Sequence, residues 1–261
     1  MTSIAYQSSH SRRKAPMKHR LLRILLSCAL LTFGVTAASA AAGTPASASS
    51  CYTWGRTLSQ GSSGSDVAQL QIRVAGWSGY DNVIAVDGVF GPATKAAVER
   101  FQAAYGLGVD GIAGPQTFGE IYALQKSDCT PLHFAYSEMN QCNTTWSGGA
   151  VSAATAKADA FQIMWKLEAL RHALGDHPIT VTSGFRSYGC NSADGGVADS
   201  RHLYGDAADL VPSAYSLCTL AREARYHGFS QIFGPGFPGH DNHVHVDYAP
   251  THDWSAPTCG I

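Results

Sequence analysis

The sequence predicts two consecutive domains, a small all-helical unit followed by a larger α+β unit. Three observations carry this. Two similar segments, Val86-Asp-Gly-Val-Phe-Gly-Pro-Ala-Thr94 and Val109-Asp-Gly-Ile-Ala-Gly-Pro-Gln-Thr117, stand 23 residues apart and mark a repeated supersecondary unit. A long helical period then runs from about Ser152 to Leu174, and a β-branched run, Ile179-Thr-Val-Thr-Ser183, follows it. Finally, the 261 residues are 45% hydrophobic and 14% charged, enough apolar material for two cores, and disorder is excluded as the main state.

The first 42 residues read as a leader. Residues 1–40 hold six of the 18 Lys and Arg residues and no acid; Leu21 to Val35 is apolar, and Ala38-Ser-Ala-Ala-Ala42 is small, the order of a cleavable secretory signal. Cys28 falls within the apolar run and is expected to leave with it. Without the leader, 12 basic residues face 19 acidic ones, a net charge of about −7, which argues against a nucleic-acid partner. The apolar run is shorter than the roughly 20 residues of a membrane span, so no membrane attachment is expected of the mature form. Six cysteines then remain, Cys51, Cys129, Cys142, Cys190, Cys218 and Cys259; in an exported chain they predict three disulfides, with fifteen pairings open.

From Cys51 to about Gln125 the pattern is helical. A first helix is read from Asp66-Val67 and Leu70-Gln71, after Gly61-Ser-Ser-Gly64. In each repeat Asp-Gly makes a tight turn and Gly-Pro opens a helix, with apolar positions Ala97, Val98 and Phe101 in one and Phe118, Ile121 and Leu124 in the other. Three short helices make a bundle. It offers neither a nucleophile with a base nor a metal set, so the unit reads as a binding module. Its residues Gly61, Gly64, Asp66-Val67, Leu70-Gln71, Val86-Asp87-Gly88, Phe90-Gly91, Thr94 and Phe101-Gln102 resemble the peptidoglycan-binding helical domain of bacterial wall hydrolases, which implies attachment to the wall.

Residues 126–149 read as a linker and lead-in to the domain of residues 150–261. In the helix from Ser152 to Leu174, Phe161, Met164, Trp165, Leu167 and Leu170 form the expected buried face, and Pro178 ends the segment. The strand at 179–183 delivers Gly184-Phe-Arg186, and a further helix is expected from about Tyr215 to His227.

The chemistry lies in Ser200-Arg-His202-Leu-Tyr-Gly-Asp206-Ala-Ala-Asp209 and His240-Asp241-Asn242-His243-Val-His245-Val-Asp247. Strand alternation puts His243, His245 and Asp247 on one face and Val244 and Val246 on the other. Asp209, set between Ala207-Ala208 and Leu210-Val211, is a carboxylate on a core strand, expensive to bury unless it is paired or bound to metal. With His202 and a histidine of the second cluster it supplies three N/O ligands and leaves a fourth position free, as a catalytic zinc requires. Asp206 and Asp247 read as polar partners of this set, and His172, His177, His227 and His252 as ordinary structural histidines.

Both segments resemble the zinc D-Ala-D-Ala carboxypeptidases, whose signature matches Ser200, His202, Gly205, Ala207 and Asp209, followed by a late histidine. The resemblance covers essentially the whole chain beyond the leader. It implies one zinc ion per chain held by His202, Asp209 and His245, a substrate-contacting Arg186, an assisting His240, a mainly antiparallel sheet, and the pairings Cys51–Cys129, Cys142–Cys190 and Cys218–Cys259. It also implies a secreted, wall-associated monomer that hydrolyses D-Ala-D-Ala bonds in peptidoglycan stem peptides. The chain departs from the family where a carboxylate base is expected three residues before the last ligand, because Asn242 stands there and an amide cannot take a proton. Asp241, His240 or His243 is then left to move protons. Two alternatives accompany this reading: an endopeptidase that cuts cross-links on the same zinc site, and a non-catalytic wall-binding protein.

Overall fold

The structure is a computed structural model that describes residues 51–261; the expected leader and Cys28 lie outside the described residues. The elements in chain order are α1 (Ser65–Val74), α2 (Pro92–Ala104), α3 (Pro115–Ala123), α4 (Tyr136–Met139), α5 (Ala153–Ala173), β1 (Ile179–Ser183), α6 (Tyr188–Ala193), β2 (Ala207–Pro212), α7 (Leu217–Ala224), β3 (Gln231–Phe233), β4 (Val244–Asp247) and β5 (Asp253–Ser255).

In the helical unit the sequence repeat is a structural repeat. The Gln71 side chain of α1 staples the first Asp-Gly turn: its amide nitrogen donates to Asp87 Oδ1 at 2.8 Å and Val89 O at 3.0 Å, and its oxygen accepts from Gly88 N. Gln102 of α2 does the same to the second turn through Asp110 Oδ1, Ile112 O and Gly111 N. Buried amides with every partner supplied hold both turns in register. Pro92 and Pro115 each open the following helix, and Leu70, Phe90, Val98, Phe101 and Ile121 fill the core between them.

That core is completed by the next domain. Helix α5, capped by Ser152 Oγ accepting from Thr155 N at 3.1 Å, is buried on both sides. Ala160, Ile163, Met164, Leu167 and Leu170 face the α+β core, whereas Trp165 and Ala169 belong to the core of the helical unit and Phe161 packs against both. The single buried face expected of this helix is therefore two stripes, the second at spacing four, 161–165–169. The junction continues through His227 Nδ1 donating to Gly76 O at 2.7 Å and Gly79 N donating to Tyr226 O at 3.0 Å. Lys166, fully buried on the same helix, donates to Gly228 O. The segment 126–149, expected as a linker and lead-in, packs onto the second domain: Phe134, Met139 and Trp146 are buried in the α+β core, because these three large apolar side chains have a hydrophobic cluster to join.

The sheet has the order β1-β2-β4-β3-β5; the first three pairings are antiparallel and β3–β5 is parallel, so it is mixed. Ile179, Val181, Ala208, Leu210, Val244 and Val246 face α5 and α7 in the core. Alternation turns Asp209, His245 and Asp247 to the opposite face, and register sets Asp209 directly across from His245. Disulfides join Cys51 to Cys129, Cys142 to Cys190 and Cys218 to Cys259, the pairing that the resemblance implies.

A shared core predicts shared unfolding. A Cβ added at Gly76 would lie 2.5 Å from Ala169 Cβ and 2.9 Å from the Lys166 Cα. Gly76→Ala is expected to cost about 1–3 kcal/mol by overpacking, and calorimetry of residues 51–261 should show one transition moved down as a whole. Two transitions, with only the first shifted, would mean that the units fold separately.

Candidate metal centre and its cleft

Three side chains from three parts of the chain converge on the open face of the sheet. Asp209 projects from β2 and His245 from β4, while His202 arrives on a short 3-10 turn, Arg201–Leu203. All three are buried, and their nearest nitrogen and oxygen atoms lie within 4.8 Å of one another. His202 Nε2 is 3.1 Å and His245 Nδ1 2.9 Å from Asp209 Oδ1, near the roughly 3.3 Å that separates donors around a tetrahedral zinc with bonds of about 2.0–2.2 Å.

Hydrogen bonding fixes what each atom offers. His202 Nδ1 donates to the Gly184 carbonyl at 2.6 Å, so Nε2 carries the lone pair. Burial pushes the His202 pKa below the usual imidazole range despite the pull of Asp209, and the neutral ring is favoured. Its Nε2 faces Asp209 Oδ1, a place where positive charge, as a proton or a bound cation, is favoured. Burial opposes ionisation of Asp209 as well, but His202 and His245 outweigh it and hold its pKa far below the usual carboxylate value. His245 has a carboxylate at each ring nitrogen, Asp209 at Nδ1 and Asp247 Oδ2 at 3.0 Å from Nε2. Burial disfavours its charged form, yet these two hydrogen bonds raise its pKa to about 9. The set thus demands positive charge at one point, and its two nitrogens and one oxygen suit zinc.

Around the set lies a cleft of about 840 Å³. Arg186, Tyr204, Gln231, Phe233, Phe237 and His240 are among the residues that line it. Arg186, expected to meet substrate, is within the cleft, but its Nη2 pairs with Asp209 Oδ2 at 2.7 Å and its Nε donates to Ser183 Oγ at 2.8 Å. Asp194, a residue with no signal in the sequence beyond its charge, approaches Arg186 Nε at 3.3 Å.

The three positions considered for proton movement separate clearly. His243 lines the cleft, its Nδ1 against Asn242 Oδ1 at 2.8 Å and its Nε2 3.6 Å from Asp209 Oδ1. The amide oxygen can only accept, so Nδ1 holds the hydrogen and Nε2 presents its lone pair toward Asp209. His240 also lines the cleft, with Nδ1 donating to Pro238 O at 2.9 Å. Burial lowers the pKa of both rings. Asp241 is not among the residues that line the cleft: its Oδ1 accepts from Gly236 N at 2.8 Å, tying down the Gly-Pro loop. The two adjacent side chains diverge, and spacing alone could not have separated them.

Comparison with known proteins follows the two-part division. The family model described as Peptidase M15 matches residues 132–247, and that described as putative peptidoglycan binding domain matches residues 63–121. A protein of Streptomyces albus G, the zinc D-Ala-D-Ala carboxypeptidase, is 57% identical over 255 residues, 94% of this chain and 100% of its own length. Shorter similarities involve the N-acetylmuramoyl-L-alanine amidase CwlM of Mycobacterium tuberculosis, 44% identical over 61 residues, and the spore cortex-lytic enzyme of Bacillus cereus, 44% identical over 62. The first covers 23% of this chain and 14% of the relative, the second 24% and 23%.

Proposed function

Since the chain belongs to the family of the zinc D-Ala-D-Ala carboxypeptidases, we propose that its cleft removes the terminal D-alanine of peptidoglycan stem peptides, with His202, Asp209 and His245 as the zinc ligands. The enzyme is a zinc-dependent peptidase of the bacterial wall. The donor atoms of His202, Asp209 and His245, all buried and within 4.8 Å of one another, carry the ligand assignment. When bound, zinc supplies Lewis acidity toward a peptide carbonyl and makes water more acidic.

The protein's own groups do the rest. His243 Nε2 takes the proton of the attacking water and returns it to the leaving amine, and Asn242 serves by holding the hydrogen on Nδ1. In this way an amide replaces a carboxylate at residue 242 without loss of a base. His240 Nε2, freed by the bond from Nδ1 to Pro238, faces the same space and accepts a hydrogen bond from the substrate amide. Arg186 holds Asp209 Oδ2, which leaves Oδ1 for the metal, and presents its guanidinium to the substrate carboxylate. Phe233 and Phe237, stacked at 4.4 Å, wall off water on one side.

The helical unit attaches the enzyme to peptidoglycan. We place the mature protein outside the cytoplasm, where its three disulfides are stable, with residues 1–42 acting as the export signal, residues 51–125 as the wall-binding domain and 150–261 as the catalytic domain. The described residues include no helix long and apolar enough to cross a membrane.

Two outcomes test this assignment. Metal analysis should find one zinc per chain, with chelation abolishing turnover of an acyl-D-Ala-D-Ala peptide, and His202→Ala, Asp209→Ala or His245→Ala should each reduce bound zinc. Full occupancy in His245→Ala with loss in His243→Ala would exchange the roles of these two histidines. In the zinc-loaded enzyme His243→Ala should lower kcat by about 10²–10⁴-fold, whereas Asp241→Asn should remain near native turnover. The reverse pattern would return the base to Asp241. Release of free D-alanine in these assays separates a carboxypeptidase from an enzyme that cuts cross-links.

A further inference from the structure

Asp247 ends β4 with no exposed surface, and among the described residues its ion-pair contact is with His245 alone. Each of its oxygens has its own donor. Oδ1 accepts from the backbone nitrogen of Ala249 at 2.9 Å, and Oδ2 lies 3.0 Å from His245 Nε2. Because residues two apart on a strand share a face, the carboxylate stands beside the imidazole, and the Ala249 hydrogen bond prevents it from turning away.

We propose that Asp247 is a positioning residue of the metal centre: it holds the hydrogen of His245 on Nε2 and so commits Nδ1, the nitrogen facing Asp209, to the metal. The proposal rests on the assignment of His245 as a ligand. As a metal ligand the His245 ring is neutral, with one N–H and one lone pair, and a carboxylate lies at each nitrogen. With Oδ1 accepting from Ala249 N, the carboxylate is oriented to accept at Oδ2 from Nε2; the lone pair is then left on the side where His202 Nε2 and Asp209 Oδ1 converge. At His202 the Gly184 carbonyl plays the same part with the opposite nitrogen, holding the hydrogen on Nδ1 and leaving Nε2. One histidine is oriented by backbone and the other by a buried acid, and the acid further strengthens the ring as a donor.

Asp247→Asn is the informative change because it preserves volume but not symmetry. Its single oxygen can serve Ala249 N or His245 Nε2, not both. If it serves Ala249, the NH₂ group donates to Nε2 and drives the hydrogen to Nδ1, where the metal should sit. Asp247→Ala removes the acceptor without imposing the wrong tautomer. Zinc affinity, measured by competition with a chromogenic chelator, should fall about 10–100-fold in Asp247→Asn and less in Asp247→Ala. Melting of the chelator-treated proteins separates this from a loss of fold. Native affinity in Asp247→Asn, or a larger loss in Asp247→Ala, would overturn the proposal. Imidazole ¹⁵N spectra of the native zinc-loaded protein test it without substitution: Nε2–H on His245 is expected, and Nδ1–H overturns it. Loss of zinc in His245→Ala with native affinity in Asp247→Asn would refute the role of Asp247 alone; retention in His245→Ala would refute the ligand assignment.

Discussion

The site is organised around one oxygen atom. Asp209 Oδ1 lies between His202 Nε2 at 3.1 Å and His245 Nδ1 at 2.9 Å, and these three buried side chains together favour positive charge at one point. Most of the α+β domain holds that arrangement. The β2–β4 register sets Asp209 opposite His245, β1 ends where the Gly184 carbonyl can receive His202 Nδ1, and Arg186 takes the second carboxylate oxygen. The core on the other face of the sheet, Val181, Leu210, Val244 and Val246 against α5, keeps these strands from shifting. A one-residue slip of β4 would turn Val244 and Val246 into the cleft and both His245 and Asp247 into the core, so hydrophobic burial and site geometry select the same register.

The positions that gather at the site could be read from the sequence because strand alternation and charge cost are local rules. An aspartate among Ala and Leu on a core strand needs a partner, and Val-His-Val-Asp has one polar face. What spacing could not provide was direction within the irregular loop. Asp241 and His243 stand at similar sequence distances from His245, yet the carboxylate bonds to Gly236 N and the imidazole comes within 3.6 Å of Asp209. Asn242 looks like a lost base in the sequence and is a hydrogen-bond acceptor for the imidazole beside it.

In the fold, β1 and α5 follow the predicted limits, because Ser152 and Pro178 are strong boundary signals. Helix α7 is shorter than the expected Tyr215–His227: Ser216 Oγ caps its start by accepting from Thr219 N, and its last helical residue is Ala224, before Gly228 at positive φ. The second buried stripe of α5 was hidden, since a helix covered on both sides has no polar face to set the period. The burial of Lys166 could not be anticipated either: its ammonium lies 4.4 Å over the Tyr248 ring, and burial lowers its pKa to about 7. These features all belong to the junction between wall-binding and catalytic units, where contacts depend on residues more than 80 positions apart. The binding unit lends its core to α5, so attachment to the wall and the orientation of the cleft are linked by packing rather than by a tether.

The central claim is that two histidines offer opposite nitrogens to one metal, and a crystal structure of the zinc-loaded protein with anomalous data at the zinc edge tests it most directly. A single peak is expected about 2.0–2.2 Å from His202 Nε2, Asp209 Oδ1 and His245 Nδ1, with His243 Nε2 nearby but unbound. A peak coordinated by His243 in place of His245, or by His245 through Nε2, would contradict it.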